Sequence, residues 1–167
     1  MDTVTFQGNT LHLTGNQPVV GQKAPDFILL ANDLAQVGLD KFGGKVLVLA
    51  SVPSLDTPVC DMEVRRFNTE AAALSDKVRI AAVSCDLPFA QARWCGAAGV
   101  TAVQTLSDHY ETSFGKNYGV LIKELRLLAR AIFMVDANGI LAYSRIVPEV
   151  THEPDYAAAL AAVKKLI

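Results

Sequence analysis

The chain reads as an α/β protein, a central mixed sheet flanked by helices and preceded by an N-terminal β-hairpin. Three features lead there. Apolar runs at 46–50 (Val-Leu-Val-Leu-Ala), 78–83 and 131–135 look like strands covered on both faces. Helical patterns lie between and after them, at 58–75, 88–98 and 154–166, each opened by a proline. Apolar residues alternate with polar ones around Gly8-Asn9 and after Asn138-Gly139, the mark of hairpins. Strands alternating with helices give the α/β class, and the hairpins add antiparallel pairs, so the sheet is mixed.

Each element has its own grounds. Val4 and Phe6 alternate with polar neighbours, Gly8-Asn9 supplies a turn, and Leu11 and Leu13 resume the alternation. Phe42-Gly43-Gly44-Lys45-Val46 has the outline of a phosphate loop. Yet Leu39 stands where an earlier glycine is needed and Val46 where Ser or Thr is, so it is a turn entering the strand at 46–50. Thr57 is a good N-cap and Pro58 a good first residue for the helix at 58–75. The run 101–106 is a further strand, central or at the edge, and 109–118 a further helical pattern. The last helix carries Lys164 and Lys165 in its final turn, where positive charge suits the macrodipole. There is no repeat, low-complexity tract or linker, so residues 1–167 are expected to form one domain.

Composition narrows the function. With 51% apolar and 19% charged residues, the chain can bury a core and is not a disordered polypeptide. A net charge of −2 creates no field that favours polyanions, so nucleic acid is not expected as a partner. No apolar run approaches the roughly 20 residues of a membrane span, and the start, MDTVTFQGNT, has no secretory pattern. The three cysteines fit a reducing compartment, which points to the cytoplasm, and read either as redox-active or as small buried hydrophobes.

The informative segment is Pro53-Ser54-Leu55-Asp56-Thr57-Pro58-Val59-Cys60, which directly follows the most apolar strand. Loops at the carboxyl ends of strands in open α/β sheets are common places for sites. Cys60 falls in the first helical turn, where free backbone N–H groups and the macrodipole favour the thiolate, the nucleophilic form. Asp61 and Glu63 share that turn and oppose a neighbouring thiolate, so a reactive Cys60 needs a cation nearby. Cys60, Val64, Phe67, Ala71 and Leu74 also form one inward stripe, which leaves a core cysteine as the plainer reading. Arg130, at the start of the strand 131–135, either sits at a solvated strand end or supplies that cation.

The remaining candidates are sparse. Cys85 ends the strand at 78–83 and Cys95 lies on the helix at 88–98; no pair is spaced as Cys-x-x-Cys. His12, His109 and His152 are scattered, without metal-ligand spacing, and read as surface residues. Asp56 reads as a turn residue and Trp94 as packing.

At these residues the sequence resembles a known family. Pro53-x-x-x-Thr57-x-x-Cys60 is similar to the active-site motif of the peroxiredoxins. Ser54-Leu55-Asp56-Thr57-Pro58-Val59-Cys60 and Asp86-Leu87-Pro88-Phe89-Ala90-Gln91-Ala92-Arg93-Trp94-Cys95 resemble the bacterial thiol peroxidase subfamily, as do Arg130–Asp136 and Glu153-Pro154-Asp155-Tyr156. The resemblance implies a thioredoxin-like fold and a thiol-dependent peroxidase that reduces hydrogen peroxide and alkyl hydroperoxides. It implies Cys60 as peroxidatic cysteine and Cys95 as resolving cysteine, joined within one subunit by a disulfide. Thr57 would hydrogen-bond thiolate and peroxide, Pro53 would shield the thiolate, and Arg130 would hold the thiolate and polarise peroxide. It further implies thioredoxin as reductant, a homodimer, and no metal or organic cofactor. Cys85 has no part in that mechanism, and 121–128 lacks the glycines often found before the family arginine. Three other readings remain: a cysteine hydrolase using Cys60 with a histidine, a redox sensor that passes its disulfide to a regulator, and a binding module with buried thiols.

Overall fold

The computed structural model describes residues 1–71, 73–74 and 76–167. The expected runs become the middle of a seven-stranded mixed sheet. Strand β5 (Val46–Ser51) is buried at every residue and is the third of the seven. It runs parallel to β6 (Val78–Ser84), which runs parallel to β7 (Val103–Ser107). On its other side it pairs antiparallel with β10 (Ala131–Val135), which pairs antiparallel with β11 (Leu141–Ile146). The two-residue strands β3 (Leu29–Leu30) and β4 (Gln36–Val37) complete the order β11-β10-β5-β6-β7-β3-β4. The run at 101–106 is therefore an inner strand.

Period-two alternation divides the core in two. Val46, Val48 and Ala50 of β5, with Ile132 and Met134 of β10, face Val64, Phe67, Trp94, Ala159 and Val163. These last come from helices α1 (Pro58–Ala71), α2 (Pro88–Ala98) and α4 (Tyr156–Lys164). Leu47, Leu49, Ala131, Phe133 and Val135 face the opposite core with Phe27, Phe114, Tyr118, Leu121 and Leu128. There Phe114 and Tyr118 stack at 4.6 Å, and Phe133 meets Tyr118 edge-on at 5.0 Å. Phe114 belongs to the short helix α3 (Ser113–Asn117), all that forms of the pattern at 109–118. Residues 72 and 75 of the expected first helix lie outside the described residues, as does the side chain at 71.

The N-terminal hairpin is present as β1 (Thr3–Phe6) and β2 (Asn9–Thr14), with its turn one residue earlier than expected. Phe6 pairs with Asn9, so the turn is Gln7-Gly8, both at positive φ, the twist that closes a two-residue hairpin. The hairpin extends into a second sheet, β1-β2-β8-β9, where β2 pairs with β8 (Leu121–Ile122) and β8 with β9 (Leu127–Leu128). The glycine-poor segment before Arg130 is thus a small hairpin, and Arg126 itself takes positive φ (51°) to close it.

Candidate active site

Three chain segments assemble the site. Strand β5 ends at Ser51, whose hydroxyl donates to the Ala129 carbonyl at 2.7 Å, joining the strand's end to the residue before Arg130. The loop 53–57 follows. It is held by Asp86, just beyond β6: one carboxylate oxygen accepts from the Ser54 hydroxyl at 2.7 Å, the other from Leu55 N–H at 2.8 Å and the Ser84 hydroxyl at 2.7 Å. A carboxylate accepting three hydrogen bonds fixes the loop against the sheet. Helix α1 then begins, with Asp61 N–H donating to the Thr57 carbonyl at 2.9 Å. Cys60 lies in that first turn, wholly buried, and Pro53, at the start of the loop, is also buried.

Arg130 is the cation that the acidic first turn requires. It is 1% exposed, so the solvated-end reading is overturned. Its Nη2 donates to Cys60 Sγ at 3.1 Å, and its Nη1 pairs with Glu63 Oε2. Nε and Nη2 also donate to the Val150 carbonyl, at 3.1 and 3.0 Å. The guanidinium is thus fixed in place by the sheet on one side and the 147–151 loop on the other. A fixed positive charge thus stands within hydrogen-bond reach of the buried Cys60 sulfur.

The two acidic neighbours have separate fates. Asp61 turns outward: it accepts from Trp94 Nε1 at 2.8 Å and pairs with Arg65 Nε at 2.9 Å. Trp94 therefore links α2 to α1 as well as packing, and the Arg65 guanidinium lies over its ring at 5.8 Å. Glu63 turns inward. Burial pushes its carboxyl up to about 7 against the pull of Arg130, and its Oε1 is buried without a hydrogen-bond partner among the described residues. A protonated or shared-proton Glu63 opposes the thiolate less than a free carboxylate does.

Thr57 is placed one turn before the thiol. It holds the N-cap position before Pro58, its carbonyl accepting the first helical bond, while its hydroxyl donates to the Ser54 carbonyl at 3.0 Å and so belongs to the loop's turn. Among the described residues no hydrogen bond joins it to Cys60. Cys95 is on α2, in the same core region as Cys60, and all three cysteines are free. Its Sγ lies 3.3 Å from the Thr105 hydroxyl. Cys85 is half-buried; desolvation, and then Asp108, push its thiol up to about 12, the property of an inert thiol.

No histidine is hydrogen-bonded to Cys60 among the described residues, and His12 is held by Glu124 at 2.6 Å. A cysteine–histidine pair is therefore not present. Among the described residues no three His, Cys, Asp or Glu side chains gather as a metal-binding group. None of the helices is long and apolar enough to cross a membrane, among the described residues. The reading of sequence missed Asp86 and Glu63 as working parts. Asp86 stood inside a recognised motif, and Glu63 one turn after Cys60, which was the available signal.

Comparison with known proteins agrees with this geometry. The redoxin family model matches residues 19–160. A thiol peroxidase of Halalkalibacterium halodurans is 54% identical, covering 98% of each chain. Thiol peroxidases of Bacillus subtilis and Staphylococcus aureus are 50% and 51% identical, over 99% or more of every chain. The crystal structure of a peroxiredoxin-like protein from Aquifex aeolicus superposes with a TM-score of 0.93 at 40% identity, over 100% of this chain and 98% of that one. A thiol peroxidase from Chromobacterium violaceum, at 22% identity and a TM-score of 0.87, shares the fold. With a buried cysteine at a helix start, an arginine on its sulfur and relatives matching end to end, the chain belongs to the redoxin family, as a peroxiredoxin of the bacterial thiol peroxidase kind.

Proposed function

We propose that this protein reduces hydrogen peroxide and alkyl hydroperoxides by thiol chemistry at Cys60. The observation that carries the reading is the 3.1 Å contact between Arg130 Nη2 and the buried Cys60 Sγ. The thiolate attacks one peroxide oxygen; the O–O bond breaks, that oxygen stays on Cys60 with its hydrogen as a sulfenic acid, and the alkoxide or hydroxide leaves and takes up from solvent the equivalent of the proton that the thiol gave up on ionising. Arg130 holds the thiolate and donates to the oxygens on which charge develops. Thr57 turns its hydroxyl to thiolate and peroxide once substrate enters. Pro53, which has no N–H to attract water, closes one side. The apolar side chains of Val64 and Phe67, buried below Cys60, suit an alkyl group.

Cys95 then attacks the sulfenic sulfur and releases water, leaving an intramolecular Cys60–Cys95 disulfide. Thioredoxin returns the disulfide to two thiols, so the cycle needs no metal or organic cofactor. The chain works as one domain, 1–167, in a homodimer, in the cytoplasm. The test is hydroperoxide reduction coupled to thioredoxin and its reductase, for wild type and Cys60→Ser. Turnover by wild type with loss in the variant supports the reading. Retention of more than a few per cent of the rate by Cys60→Ser excludes it.

A further inference from the structure

Cys95 is held by a short chain of hydrogen bonds that runs through Thr105 to Asn32. The Thr105 hydroxyl, buried on β7, lies 3.3 Å from Cys95 Sγ and donates to Asn32 Oδ1 at 3.0 Å. A threonine hydroxyl has one proton and two lone pairs. With that proton committed to Asn32, only Cys95 can be the donor in the sulfur contact. The Cys95 S–H therefore points its proton at Thr105.

The backbone adds to the restraint. Cys95 lies in the last turn of α2, and its carbonyl accepts from Gly99 N–H and from Val100 N–H, the latter at 3.2 Å. Gly99 takes a left-handed conformation (φ 68°), which closes the helix there. Asn32, Cys95 and Thr105 together line a groove of about 790 Å³ that also takes in residues of β6 and β7.

From this arrangement we infer that Thr105, oriented by Asn32, is a positioning residue that parks Cys95 as a thiol in the reduced protein and so sets the rate of disulfide closure. The inference rests on the reading of Cys95 as resolving cysteine. In that step the Cys95 sulfur attacks the sulfenic sulfur of Cys60; the S–S bond forms, the S–O bond breaks, and the hydroxyl leaves as water with the Cys95 proton. Until the contact with Thr105 is broken, the proton and the sulfur of Cys95 stay engaged with the Thr105 hydroxyl. Closure then requires release of the hydrogen bond and of the last turn of α2. The sulfenic acid of Cys60 persists for the time that release takes.

Two measurements test this on the full-length protein. The first is the iodoacetamide rate of Cys95 in the reduced state, resolved from Cys60 and Cys85 by peptide mapping. The second is the rate of disulfide closure after rapid mixing with one equivalent of hydrogen peroxide. Thr105→Val keeps the shape and removes the acceptor. Both rates are expected to rise roughly two- to tenfold, the range set by loss of one hydrogen bond, while the preceding oxidation of Cys60 stays within twofold. Thr105→Ser restores the acceptor and is expected to match wild type. Asn32→Asp, able only to accept, keeps the hydroxyl's proton engaged and is also expected to match. Asn32→Ala frees that proton for the sulfur and is expected to speed both rates; it serves as the second variant should Thr105→Val fold poorly. Unchanged rates in Thr105→Val and Asn32→Ala, or slower closure in either, overturn the inference. If wild type forms no Cys60–Cys95 disulfide, the resolving-cysteine reading fails, and the alkylation rates alone decide whether Thr105 holds the thiol.

Discussion

Arg130 reaches Cys60 and Glu63 with the two ends of one guanidinium, Nη2 lying 3.1 Å from the sulfur and Nη1 on the carboxylate. The contact joins residues 70 positions apart and makes one buried unit of a thiol, a cation and an acid. Because the Val150 carbonyl holds the same guanidinium, the cation cannot follow the sulfur when charge moves. Such a fixed donor stabilises developing charge without reorganising.

Replacing that donor is therefore costly. Arg130→Met is expected to slow oxidation of Cys60 by hydrogen peroxide about a hundredfold, the scale for loss of one preorganised donor. Arg130→Lys is expected to recover part of the loss, since an ammonium has the charge but not the planar fork. Stopped-flow measurement of the first oxidation step checks both; a change under threefold in Arg130→Met would remove the arginine from the reaction.

Glu63 makes stability depend on pH. Its carboxyl, ordinarily near 4.5, is pushed up to about 7 in the fold by burial, against the pull of Arg130. Between those values the folded state holds more protons than the unfolded state, so stability falls as pH rises through this window and levels off above it. Asp108, pushed up from 3.8 to about 6 by burial, adds a fall with the same sign over its lower window. Glu63→Gln is expected to lose the fall between pH 6 and 7 and keep the part below pH 6 that Asp108 supplies. Urea midpoints at pH 5, 6, 7 and 8 read this; an undiminished slope between pH 6 and 7 would contradict it.

The loop before Cys60 depends on Asp86. Its carboxylate accepts from Ser54, Leu55 and Ser84, so Asp86→Ala removes three hydrogen bonds to a charged group at once. About 3 kcal/mol of stability is expected to go with them, allowing for water entering at this half-buried place. Cys60 should also oxidise more slowly, as Thr57 and the start of α1 lose their support. Urea denaturation together with the first-step rate checks this; full stability in the variant would show that the loop is held by its own turns.

Cys85 should be a bystander. Its thiol is pushed up to about 12, mainly by burial and then by Asp108, which leaves almost no thiolate at neutral pH. Cys85→Ala is expected to keep the coupled peroxidase rate within twofold. A tenfold loss would give Cys85 a part in the cycle.

Much of the fold was legible because its signals are local. The apolar runs at 46–50, 78–83 and 131–135 became β5, β6 and β10 almost residue for residue, and Pro88 set the start of α2. The two-residue strands β3, β4, β8 and β9 left no such mark, since a pair of residues has no periodicity and forms only where a neighbouring strand offers an edge. In the site, the position of Cys60 at a helix start was legible from Thr57-Pro58. The need for a cation followed from Asp61 and Glu63. What could not be read was how the charges divide. Asp61 and Glu63 are two positions apart on one helix and so face different ways, one to Trp94 and Arg65, the other to Arg130. Nor could the burial of Arg130 be read from an apolar strand that it merely precedes. It follows from the Val150 carbonyl, 20 residues on.

If Cys60 is oxidised and Cys95 resolves it within one subunit, a single product should follow one equivalent of hydrogen peroxide. Peptide mass spectrometry of the reduced protein after that addition, with subunits separated on a non-reducing gel, reads it. A monomeric band, a dominant Cys60–Cys95 link and a free Cys85 are expected. A dominant link through Cys85, a disulfide between two subunits, or a free Cys60 would contradict that pairing.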